Sequence, residues 1–84
     1  MGLVELVRKK QIQHWLNKAS SNGYGGVTVY YALYLPPLTS EMKEELKKRH
    51  IKVSEMQWDS KSMWRRFYWD TSGGDMVVPP YHIF

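Results

Sequence analysis

The chain has no cysteine. No disulfide can staple it, and zinc held by thiolates is excluded with it. At 84 residues it is one domain, of a size that buries only about 60–65% of the surface its unfolded chain exposes. It also lacks any apolar run near the ~20 residues of a membrane span. Arg8-Lys9-Lys10 interrupts the apolar N-terminal segment, so no signal-peptide core forms there. These absences lead to the expectation of an intracellular protein without a membrane anchor. Acidic residues are few, 8 against 12 Lys and Arg, for a net charge of +4. That is modestly basic, below what a dedicated nucleic-acid binder of this size often carries.

Aromatic residues are plentiful: four Trp, six Tyr and two Phe stand in for the missing cross-links. They concentrate in Met63-Trp64-Arg65-Arg66-Phe67-Tyr68-Trp69-Asp70. Read as a strand, whose side chains alternate, this run is aromatic on both faces. One face carries Met63, Arg65, Phe67 and Trp69; the other carries Trp64, Arg66, Tyr68 and Asp70. A small sheet with one solvated face needs aromatics on only one. The surplus asks for a partner, and a one-residue register shift exchanges the two faces. Which face is outward stays open at this level.

The pattern predicts helices over 3–19 and 40–50 and strands over 27–35, 51–58 and 63–70. In the first helix Ile12, Trp15, Leu16 and Ala19 recur at helical spacing. Leu3, Leu6 and Val7 fall on nearly the opposite side. They are either a loosely packed first turn or a patch that meets a second chain. Residues 20–26, rich in Ser and Gly, end this helix. Val27 to Leu35 is β-branched, aromatic and uncharged, as a strand with neighbours on both edges is. Pro36-Pro37 stops it. Thr39 is a good N-cap for the second helix, with Glu41 in the first turn and Lys47, Lys48 and Arg49 at the far end. Glu44 with Lys48 and Glu45 with Arg49 have the spacing of ion pairs along one helix. Met76-Val77-Val78 reads as a short strand or an extended arm, and Pro79-Pro80 favours an extended course to the end. The expected fold is α+β in the order α-β-α-β-β. Both helices cover one face of a three-stranded sheet, with a domain over 1–75 and an extended docking tail over 76–84.

Val27 to Leu35, the Leu38-Thr39-Ser40-Glu41 opening with Leu46, Ile51-Lys52-Val53 and Phe67-Tyr68-Trp69 follow one another as a pattern of residue types, not a diagnostic motif. This layout resembles that of small proteins encoded by bacteriophages and prophages, over roughly residues 10–70. The double proline and the residues from Gly73 onward fall outside the pattern. The resemblance implies a viral accessory or virion component, placed in the host cytoplasm or the particle. It carries over no catalytic residue.

No constellation for catalysis is present. His14, His50 and His82 are far apart and form no metal-binding spacing. The acids sit on a solvated helix and strand or in turns, where they are expected. Asn22-Gly23-Tyr24-Gly25-Gly26 precedes a strand, so no helix N-terminus is there to hold phosphate. The expectation is a non-enzymatic module with no cofactor and no metal. Its partner-binding candidates are Tyr30, Tyr34, Trp64, Arg66, Tyr68 and Trp69, since interface cores favour aromatics and Arg. Self-association candidates are Leu3, Leu6, Val7, Val77, Val78, Tyr81, Ile83 and Phe84. The alternative is nucleic-acid binding by Arg8, Lys9, Lys10, Lys18, Arg65 and Arg66, with bases stacked on the neighbouring aromatics.

Overall fold

Helix-forming sequence fills α1, Leu3–Ser21, and α2, Ser40–Lys48. In the computed structural model, which describes residues 2–31, 38–57 and 62–80, both helices end in the same motif. At the end of α1 the Tyr24 N–H donates to the Ala19 carbonyl and the Gly23 N–H to that of Ser20. At the end of α2 the Ile51 N–H donates to Leu46 and the His50 N–H to Lys47. This pairing needs a left-handed residue at the corner. Gly23 supplies it at φ 80°, whereas His50 is forced to φ 58°. The Thr39 hydroxyl caps α2 as expected, accepting from the Met42 N–H at 3.2 Å.

The helices lie side by side and run parallel. Lys9 donates to Glu41 at 3.0 Å, Gln13 to Glu45 at 2.8 Å and Arg49 to Asn17 at 3.4 Å, each pair 32 residues apart. The spacing of four on both helices makes one polar seam. Glu45, read as the partner of Arg49 along its own helix, instead accepts one hydrogen bond from Gln13 and forms an ion pair with Lys9 at 3.2 Å. The neighbouring helix offers it better-placed donors. Gln13 first, and Lys9 after it, hold the Glu45 carboxyl below its ordinary value.

Beneath the helices lie β1 (Gly26–Tyr31), β2 (Lys52–Gln57), β3 (Met63–Tyr68) and β4 (Asp75–Val78). They form one mixed sheet in the order β2-β3-β1-β4. The α+β class and the paired helices follow the sequence reading, but the sheet has four strands instead of three. β3 runs antiparallel to both β2 and β1, so β1-α2-β2 is a parallel crossover split by β3. β4 adds to β1 in parallel. Residues 76–78, read as the start of a tail, are thus sheet, and Val78 is buried in the core. Three consecutive apolar residues satisfy a strand edge and a docking arm equally well, and the open edge of β1 takes them.

The core gathers Ile12, Trp15, Leu16 and Ala19 of α1 and Met42 and Leu46 of α2. These meet Val27, Val29 and Tyr31 of β1 with Met63 and Phe67 of β3. The second half of α1 is therefore the packed half, as the helical spacing requires. Leu3, Leu6 and Val7 remain exposed, at 77, 40 and 56%.

The link from β3 to β4 has to pass the start of β1, and it does so against Gly25. The Gly25 carbonyl accepts from Trp69 at 2.9 Å and Asp70 at 3.0 Å, and its N–H donates to Gly74 at 2.8 Å. A Cβ on Gly25 would lie 1.4 Å from the Asp70 carbonyl oxygen, and backbone there cannot yield. Gly25→Ala is expected to destabilise the protein by about 3 kcal/mol or more, read from denaturant midpoints. Gly2→Ala, where a Cβ meets nothing within 4 Å, should change stability by less than about 0.5 kcal/mol. His50→Gly should stabilise by about 1 kcal/mol, because only glycine takes the left-handed corner without steric cost.

The depressed Glu45 gives stability that is present above its unfolded value, about 4.3, and is lost as pH falls through the lower folded value. Glu45→Gln is thus expected to be less stable than the parent at pH 7. The gap should close between about pH 5 and pH 3, followed by urea titration across that range.

Candidate functional site

Register decides which aromatics face outward. Val27, Val29 and Tyr31 pair with Phe67, Arg65 and Met63, and all six are buried beneath the helices. The alternate residues form the other face, on which no described helix packs. Its first row is Met56-Trp64-Tyr30, its second Ser54-Arg66-Thr28-Val77, and its third Lys52-Tyr68-Gly26-Asp75. Tyr30, Trp64 and Tyr68 are half-buried, whereas Met56 and Val77 are exposed at 53 and 59%. The ambiguity left by the sequence is resolved for this chain: Trp64, Arg66 and Tyr68 are outward, and Met63, Arg65 and Phe67 are inward.

An ionic clamp crosses the middle of this face. Asp75 on β4 accepts from Arg66 on β3, 2.6 Å from Nε and 3.3 Å from a terminal nitrogen. The same carboxylate accepts from the Thr28 hydroxyl on β1 at 2.7 Å. One carboxylate thus ties three strands together. The Arg66 guanidinium also lies 4.5 Å from the centre of the Tyr68 ring. The Asp75 hydrogen bond raises the Arg66 value above the ordinary arginine range. The guanidinium is committed to the sheet on one side and covers an aromatic ring on the other.

Three residues named from the sequence belong elsewhere. Trp69 follows the end of β3 on the helix side, packed against the core and away from the Trp64 row. Alternation along the strand puts it with Phe67, so grouping it with Trp64 and Tyr68 ran against the period of two. Arg65 is 4% exposed, bonded to Glu55 at 2.8 Å and 5.6 Å from the centre of the Tyr31 ring. A guanidinium buried in that way is withdrawn from nucleic acid. Burial, opposed by Arg65 and Arg8, raises the Tyr31 phenol above its ordinary value. Val78 sits in the core, while Val77 faces out on the sheet. Tyr34, Tyr81, Ile83 and Phe84 lie outside the described residues, as does His82.

Of the basic candidates on α1, Lys9 is held by Glu41 and Glu45, whose hydrogen bonds raise its value. Arg8 is half-buried, and Lys10 and Lys18 are exposed. Met56 was missed as a site residue, whereas Val77, named for self-association, lies on the same sheet face. The Met56 signal was present, since alternation from Lys52 puts it opposite Trp64 once the hairpin is paired in register. His14 and His50 are both exposed, and among the described residues no three His, Asp or Glu side chains come together as metal ligands would. No described helix is long and apolar enough to cross a membrane. Compared with known protein families, with curated proteins and with solved structures, the chain has no match.

The clamp has a measurable consequence. Asp75→Asn leaves the Arg66 charge without its partner and weakens the tie between β3 and β4. It is expected to cost about 1–3 kcal/mol, and the combined Arg66→Met, Asp75→Asn variant should recover part of that loss. Chemical denaturation of the four proteins of this cycle gives the coupling.

Proposed function

We propose that this protein is a non-enzymatic binding module that docks a protein surface, its own copy or another chain, through the open sheet face. The resemblance of its sequence layout to that of small phage-encoded proteins supports the role of an accessory or virion component. The observation that carries the reading is the Met56-Trp64-Tyr30 row, one flexible and two flat apolar side chains abreast on three strands. Met, Trp and Tyr are the types enriched in interface cores. Val77 extends the apolar area toward β4. The clamped Arg66 beside them offers a preordered, charge-compensated neighbour, which lowers the desolvation cost of covering the face. Leu3, Leu6 and Val7 are a second exposed apolar group, suited to self-association.

Nucleic-acid binding has less behind it. Arg65 is buried, Arg66 is paired with Asp75 and Lys9 with two glutamates, which leaves Lys10, Lys18 and Lys52 as exposed cations among the candidates and the sheet face. That is a sparse footprint for phosphate.

The test is a capture experiment from host and viral lysate with the intact protein, together with light scattering over a concentration series. Trp64→Ala and Met56→Ser are each expected to weaken capture or assembly at least tenfold, a hot-spot effect of about 1.4 kcal/mol or more. The far-ultraviolet spectrum should stay that of the parent. Retention of both activities by the double variant would refute the sheet-face reading. Binding of DNA or RNA with a steep salt dependence, and of no protein, would replace it with the alternative.

A further inference from the structure

The parallel seating of the helices brings both of their C-terminal ends to one place, beside the residue that leaves β3. A cleft of about 190 Å³ opens there, lined by Leu16 and Ser20 of α1, Arg49 and Ile51 after α2, and Trp69. Its chemistry is divided. Leu16 and Ile51 are buried and give an apolar floor, the half-buried Trp69 indole adds a flat wall, and Arg49 and Ser20 are exposed at the rim.

The Arg49 guanidinium is the cation of this cleft. Among the described residues it makes one hydrogen bond, the long one to Asn17, and no ion pair. Glu45 feels the Arg49 charge but makes no ion pair with it. Glu45 is bonded to Gln13 and Lys9, and the Asp70 carboxylate accepts from the backbone N–H and hydroxyl of Ser72. Carbonyls at both helix ends are taken up by the corner hydrogen bonds, which blunts the negative ends of the helices. An anion is therefore favoured at the rim and an apolar body against Trp69. The volume is below the range of drug-sized sites, so the occupant is a single ring or side chain.

We infer that this cleft binds a small aryl carboxylate, its ring on Trp69, Leu16 and Ile51 and its carboxylate on Arg49 and Ser20. The same chemistry occurs in a free aromatic acid and in the C-terminal phenylalanine of a peptide. The inference is independent of the sheet face, because the two sites lie on opposite sides of the sheet.

The experiment is an NMR titration of the isotope-labelled full chain with phenylacetate, phenylacetamide and the tripeptide Ala-Ala-Phe. Phenylacetate should shift the Trp69 indole N–H and the Ser20 and Ile51 amides. It should bind at least five-fold more tightly than phenylacetamide, and Arg49→Gln should abolish that preference while the spectrum stays that of a folded protein. Tighter binding of the tripeptide than of phenylacetate would assign the site to peptide ends, weaker binding to free acids. Equal affinity for acid and amide in the parent, a preference that survives Arg49→Gln, or shifts confined to the Trp64 row would overturn the inference.

Discussion

The backbone crossing at Gly25 is the constraint on which the sheet depends. Only there can the chain leave β3, pass the start of β1 and return as β4, and it passes so close that no side chain fits. The crossing puts β4 beside β1, so β1 becomes an interior strand and its uncharged sequence is explained. It also delivers Asp75 to the open face, where one carboxylate holds Thr28 and Arg66. Without the crossing, Asp75 would be a turn residue and Arg66 a free cation on an aromatic strand. With it, the face becomes an apolar row beside a neutralised polar band.

Much of this was legible in the sequence because periodicity reports local structure. The packed half of α1, the cap at Thr39, the β2-β3 hairpin and the interior nature of β1 all follow from spacing and residue type. What was not legible depends on pairing between distant segments. Four apolar or acidic residues, 75–78, do not announce that they will lie parallel to a strand almost fifty positions earlier. Glu45 has a good helical partner in Arg49, and nothing local says that Gln13 and Lys9 are closer. The face of Trp64 could not be assigned because both faces of its strand are aromatic; the helices decide it by covering Phe67. Trp69 was legible, since the period of two separates it from Trp64.

The cations that the fold engages have separate tasks. Lys9 and Arg49 serve the seam between helices, and Arg65 is folded into the core on Glu55 and Tyr31. Arg66 staples the sheet. Three of the four arginines and Lys9 are thereby committed to the fold, and the sheet face keeps few cations for nucleic acid. For a small domain without cross-links, these pairs and the corner motifs supplement a core built from few residues.

The central claim is that one sheet face is closed by helices and the other is aromatic, with no described helix upon it. Methionine methyl resonances test it directly, because Met56 and Met63 lie on opposite faces of paired strands and differ in exposure, 53 against 3%. In a dilute sample with a soluble gadolinium chelate, the Met56 methyl should broaden strongly, while those of Met63 and Met42 should remain sharp. A sharp Met56 with a broadened Met63 would mean that the strands pair one residue out of this register, and the account of the open face would fall.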